Sequence, residues 1–185
     1  MRLKVASTLP LLYQDIRHTR GVTLIEAMMV VALIGIIAAL AVPSFAELIE
    51  RNRLKDVVET FKADMQYART EAFKRSSNIH INRTAGNAGT WCYGIGTAAC
   101  DCTQTDATAA DFCDLKRVSG TDSQTTNLLT GGNTEINFRR GTLAAGGGTF
   151  TTSKYAARVT FSDVGRIRIC NDSNSSLKGI YGTCN

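Results

Sequence analysis

A chain of 185 residues, 44% of them hydrophobic and 20% charged, is long enough for one domain with a real core and too short for two ordinary ones; the composition is globular apart from one apolar run. The formal charge of +5 does not by itself indicate a nucleic-acid partner, because Arg2, Lys4, Arg17 and Arg20 against Asp15 place +3 of it in the first 21 residues and leave +2 for the rest. Charge is balanced over 22–75 and slightly acidic over 76–134. Over 135–185 seven Lys/Arg face three Asp/Glu, so an anionic partner would meet the last third of the chain.

Residues 1–21 read as a basic leader whose only packable pattern is 9–13 and which ends at Gly21. Arg17 and Arg20, beside the apolar run, keep that end cytoplasmic by the positive-inside tendency. The run 22–46 would be about 37 Å long as a helix, enough to cross a hydrocarbon core of roughly 30 Å, and only Glu26 and Pro43 interrupt it. A secretory signal peptide cut at Ala39-Leu40-Ala41 is the competing reading. Against it stands Glu26, inside what would be the apolar core of such a signal, where a charge costs up to about 3 kcal/mol.

Beyond Pro43 the residues Leu54, Val57, Val58, Phe61, Met65, Ala68 and Ala72 recur at steps of three and four, the mark of an apolar helix face needing a cover. Ser44 with Glu47 forms a capping-box pattern that would restart the helix after the proline. The expectation is one helix over 22–75, on the order of 80 Å long and bent near Pro43. Its charged face, from Glu47 and Glu50 through Asp56, Glu59, Asp64, Arg69 and Glu71 to Lys74, mixes signs and reads as a solvated face with weak ion pairs, subunit contacts being the alternative.

From residue 78 the texture is that of β-structure: 79–81, 91–95, 115–118, 135–138, 148–152, 157–162 and 166–170 read as strands, with Asp163-Val164-Gly165 a hairpin turn between the last two. Segments 97–114 and 119–133 read as loops. The fold class is therefore α+β: a long N-terminal helix, membrane-spanning in its first half, packed in its second half on an antiparallel sheet.

Six cysteines (Cys92, Cys100, Cys102, Cys113, Cys170, Cys184) all follow the apolar run, which suggests export to an oxidising compartment and up to three disulfides. Strain disfavours Cys100–Cys102. The favoured pairing is Cys170 with Cys184, with Cys92 and Cys113 each taking one of Cys100 and Cys102. A zinc site built from the four central cysteines is the alternative, weakened by the absence of C-x2-C spacing and of a nearby histidine.

The order Gly21-Val22-Thr23-Leu24-Ile25-Glu26, then an uncharged run to Pro43, resembles the class III leader and N-terminal helix of type IV pilins and type II secretion pseudopilins. The resemblance implies a division into a leader (1–21), a transmembrane and polymerisation helix (22–46) and a periplasmic head (47–185). It also implies cleavage between Gly21 and Val22 by a prepilin peptidase and methylation of the new N-terminus at Val22. In that family the glutamate at the position of Glu26 is thought to attract a neighbour's N-terminal amine. A carboxylate in apolar surroundings is costly alone and much less so beside a cation. Valine stands at the first mature position where phenylalanine is usual.

The segments Arg51-Asn52-Arg53-Leu54, Gln66-Tyr67-Ala68-Arg69-Thr70-Glu71-Ala72 and Gly165-Arg166-Ile167-Arg168-Ile169, and more loosely Asn137-Phe138-Arg139-Arg140-Gly141, are similar to the GspH/FimT/FimU branch of minor pilins; the middle, 92–133, departs from it. Members of that branch are thought to sit at or near a filament tip, to prime assembly, or to bind a ligand there. The implied partners are other pilins or pseudopilins, the peptidase and the inner membrane. Gly-Arg-x-Arg further resembles the DNA-contacting motif of FimT-type competence pilins, which makes double-stranded DNA a candidate partner.

On a strand, Arg166 and Arg168 would share one face roughly 6–7 Å apart while Ile167 and Ile169 face the core. Arg158 on the neighbouring strand, with Arg139, Arg140, Lys154 and Lys178, would extend a basic patch able to release counterions from DNA. A plain solvated sheet face, in a subunit with a purely structural role, is the competing reading, and no aromatic residues interleave the arginines as a single-strand platform requires. No cofactor is implied, and a membrane-anchored redox or metal enzyme is a third reading that rests only on the cysteine cluster. His18 lies in the leader, His80 stands alone on a strand, and Gly131-Gly132 and Gly146-Gly147-Gly148 lack the lysine and helix of a phosphate loop.

Overall fold

The computed structural model describes residues 21–143, 146–171, 177 and 180–184. The chain divides into one unit ending at Val42 and another starting at Pro43. The leader, apart from Gly21, and Lys178 lie outside the described residues.

In the first unit the chain enters helix α1 (Leu24–Arg75, 52 residues) through a cap. The Thr23 hydroxyl accepts from the Glu26 amide at 3.3 Å, and its carbonyl accepts from the Ala27 amide at 3.1 Å. Thr23-x-x-Glu26 is thus a capping-box sequence lying inside the processing motif, and the carboxylate sits where it favours the helix N-terminus. Every side chain over 22–40 is exposed in the single chain, and the helix is long and apolar enough to cross a membrane.

The helix is continuous at Pro43, so the restart expected at Ser44 does not occur. Glu47 instead accepts a hydrogen bond from the Tyr155 hydroxyl at 2.7 Å.

In the second unit the predicted apolar face is the core face: Leu54, Val58, Phe61, Met65, Ala68 and Ala72 are fully buried and Val57 nearly so. It packs against two antiparallel sheets where the sequence suggested one. The first has the order β3 (Lys116–Ser119), β2 (Cys92–Gly96), β1 (Ile79–Thr84), β5 (Gly132–Asn137), β6 (Thr142–Leu143). The second has the order β4 (Asn127–Leu128), β7 (Gly146–Thr151), β8 (Ala156–Phe161), β9 (Ile167–Cys170). Phe61 joins them, its ring edge-on to Tyr93 of β2 at 4.9 Å and to Phe150 of β7 at 5.2 Å.

Arg83 also ties the sheets together. It takes an inward position on β1 in line with Ile79 and Ile81, donates through Nη1 to the Gly147 carbonyl on β7, and donates through Nη2 to the Thr134 hydroxyl on β5 at 2.8 Å. Burial holds its pKa below that of an ordinary arginine.

Strand β2 is buried along its whole length because it has two covers. Tyr93 and Ile95 face α1, while Cys92, Gly94 and Gly96 lie under the loop 97–114. That loop is held by Cys92–Cys102 and Cys100–Cys113. A Cβ on Gly94 would collide with the Cys113 sulfur, so the strand must be bare there. The third disulfide is Cys170–Cys184. All four central cysteines are thus consumed in disulfides, which overturns the zinc alternative; no group of metal-ligating side chains occurs among the described residues.

Candidate functional site

At the N-terminal end Gly21 and Val22 are exposed immediately ahead of α1, and Glu26 is exposed one turn in. An apolar helix with one carboxylate near its start and no cover of its own is complementary to other apolar helices, or to lipid, and to a cation at the height of Glu26. Pro43 lies within the helix, where it leaves one backbone carbonyl without its usual donor.

At the other end, β9 is the edge of the second sheet. Its entry is a three-residue turn: the Ser162 amide donates to the Arg166 carbonyl at 3.0 Å, the Gly165 amide donates to the Ser162 carbonyl at 2.9 Å, and Gly165 adopts φ +76°. This is the hairpin turn expected at Asp163-Val164-Gly165, with glycine at the left-handed position. Arg166 and Arg168 are exposed, and Ile167 and Ile169 are half-buried against the core. The register sets Thr160 opposite Arg168 and Arg158 opposite Cys170, so all three arginines share the outer face of β8 and β9. None of the three is in an ion pair among the described residues.

Other residues of the predicted basic patch lie elsewhere. Arg139 and Arg140 are exposed in the turn joining β5 to β6 in the other sheet, with Arg139 over the Phe138 ring at 5.6 Å. Lys154, in the turn joining β7 to β8, is 3.8 Å from the Glu47 carboxylate and is partly neutralised. The described basic face is therefore Arg158, Arg166 and Arg168.

The helix face that reads as solvated is in large part a docking strip. Asp64 is buried, accepting from the Tyr93 hydroxyl at 2.7 Å and the Lys116 ammonium at 2.5 Å. Burial, then this hydrogen bond to a carboxylate, pushes the Tyr93 phenol far above its usual value. Glu50 accepts from the Ser153 hydroxyl at 2.7 Å, which holds its carboxyl below the ordinary value. Glu59 accepts from the Tyr181 hydroxyl at 2.8 Å, and burial together with that bond raises the tyrosine. Glu71 is also buried, paired with Lys74 and Arg75 at 3.0 Å each, and those bonds lower its carboxyl. Glu47, Glu50, Glu59 and Asp64 on α1 thus each receive a hydroxyl from the head beyond the helix, while Glu71 is held within the helix. In the sequence they read as a solvated face, because the hydroxyls that meet them lie 29 to 122 residues away.

Beyond β9 the chain folds back on itself. Asn171, 2% exposed, donates through Nδ2 to the carbonyls of Leu177 and Tyr181 at 2.9 and 2.7 Å. Cys170–Cys184 staples the end of the segment to the strand. A cleft of about 180 Å³ lies between, lined by Thr160, Arg168 and Ile169 on one side and Gly182, Thr183 and Cys184 on the other.

Comparison with known proteins bears on both ends. The prokaryotic N-terminal methylation motif matches residues 16–42. The crystal structure of the Pseudomonas aeruginosa (strain PAO1) type IV minor pilin FimU is similar at 19% identity and a TM-score of 0.49, covering 69% of this chain and 96% of that one. No curated protein matches the chain. The family model for the type II transport protein GspH matches residues 57–177, which is most of the head, from the core face of α1 through both sheets. The chain belongs to the GspH family of pilin-like proteins, with an N-terminal methylation motif ahead of its family domain.

Proposed function

We propose that the protein is a minor pilin, or a type II secretion pseudopilin, that primes filament assembly at or near the tip. The leader 1–21 is removed between Gly21 and Val22, Val22 is methylated, the helix over 22–46 holds the subunit in the inner membrane with its head in the periplasm, and Glu26 then receives a neighbour's N-terminal amine. The observation that carries this reading is the exposure of every side chain over 22–40 beside a single carboxylate: in a filament both find partners. Replacing Glu26 with Ala is expected to leave membrane insertion intact and abolish incorporation into filaments, measured by sheared-filament immunoblotting. Normal incorporation would remove the docking role.

The head's proposed ligand is double-stranded DNA, taken by its phosphates without sequence preference through Arg158, Arg166 and Arg168. Support comes from three exposed arginines on one sheet face without ion-pair partners among the described residues. In a titration of a duplex oligonucleotide by fluorescence anisotropy, R166Q/R168Q should weaken binding for all sequences and reduce the log-log salt slope by about 2. No binding by the wild type at low salt leaves the structural role alone. One observation favours that second reading: Gly165 has a packing reason of its own, since a Cβ there would strike the Gly141 carbonyl.

A further inference from the structure

Strand β9 carries more than arginines. In an antiparallel ladder every second residue turns its N–H and C=O to the neighbouring strand and the residues between turn theirs away. The Ser162–Arg166 hydrogen bond and the register through Thr160–Arg168 and Arg158–Cys170 set the phase, so Arg166, Arg168 and Cys170 bond to β8. Ile167, Ile169 and Asn171 therefore direct their backbone groups to the open side.

At Asn171 that side is filled by the chain itself. Its amide donates to the Gly182 carbonyl at 2.8 Å, and its carbonyl accepts from the Cys184 amide at 3.1 Å. The added segment then departs: the Tyr181 hydroxyl is drawn to Glu59 on α1, and the Tyr181 carbonyl is held by Asn171 Nδ2. Among the described residues, Ile167 and Ile169 are left with two donor–acceptor pairs facing outward at the end of a sheet.

We propose that this edge is a strand-docking site, and that its occupant is an extended segment of another filament subunit carrying carboxylates at alternate positions. The open backbone groups of Ile167 and Ile169 supply the pairing. Charge complementarity selects the occupant: residues two apart on the incoming strand share the face of Arg166 and Arg168, both exposed and without ion pairs among the described residues. The inference does not rest on DNA binding, which would compete for the same arginines.

The test uses the full chain in detergent micelles and, as probe, an N-acetylated, C-amidated peptide of alternating valine and glutamate. The peptide should bind and slow hydrogen exchange of the Ile167 and Ile169 amides. A version with alternate backbone amides N-methylated should bind about tenfold more weakly. I169P removes an N–H that makes no ladder bond, so it should impair binding similarly while the Arg168 and Cys170 amides keep their protection. Should that variant fail to fold, the N-methylated peptide still decides. Binding indifferent to N-methylation, absence of peptide binding, or binding of a duplex DNA probe without the peptide would each overturn the proposal.

Discussion

Arg69 of α1 donates through Nη1 to the carbonyl of Gly165 at 3.0 Å, fastening the turn that starts β9 to the C-terminal part of the helix. A second turn joins the same contact. Gly141, at φ +60°, lies so close that a Cβ there would sit 2.6 Å from Phe73 Cζ and 2.9 Å from Arg69 Nε. Three segments that resemble the minor-pilin branch, around Arg69, Gly141 and Gly165, therefore meet at one point. The glycine of Gly-Arg-x-Arg is explained by packing, while the arginines project to solvent.

Gly165→Ala should cost about 2 kcal/mol of stability, since alanine is strained at φ +76° and its methyl collides with the Gly141 carbonyl. A denaturant titration should show a lower midpoint with an unchanged slope. Arg168→Ala, at an exposed site two residues from the ladder's start, should leave the midpoint within about 0.5 kcal/mol of wild type.

Much of this architecture is legible in the sequence. The core face of α1 follows the apolar residues from Leu54 to Ala72, the last hairpin turns at Asp163-Val164-Gly165, and Cys170 finds Cys184 across a short loop. Other features are hidden for physical reasons. Arg83 stands at an inward position, where alternation would call for an apolar side chain, because carbonyl and hydroxyl acceptors from two other strands await it. Asp64 reads as solvent-facing because its partners Tyr93 and Lys116 are far away in the chain. The division into two sheets rests on which strands pair, β5 returning to β1 while β7 pairs with β8, and alternation along any one strand does not show that.

Phe61→Ala should destabilise the head by about 3–5 kcal/mol, because its fully buried ring touches Tyr93 and Phe150 in different sheets. Thermal unfolding of the purified chain in detergent is the measurement.

Stability should fall at high pH. The Tyr93 phenol is raised above its unfolded value of 10.0, so the folded state binds its proton more tightly. That contribution is fully present below pH 10 and is lost as pH rises above it, toward the folded value. Y93F should start from lower stability, lacking the bond to Asp64, yet show a flatter decline above pH 10. An equal slope in both proteins would contradict the assignment.

Removing the C-terminal staple with C170S/C184S should cost about 3 kcal/mol, since it closes a loop of 14 residues in the unfolded chain. It should also release Tyr181 from Glu59, so hydrogen exchange at Asn171 and Cys184 should quicken before that of β7 and β8.

The central claim is that 22–46 is a polymerisation helix exposed by processing and not a discarded signal. Intact-mass analysis of the protein from membranes of a cell expressing a prepilin peptidase tests it most directly. The predicted result is a chain beginning at Val22 with one added methyl group; a chain beginning at Val42, after Ala39-Leu40-Ala41, would contradict it.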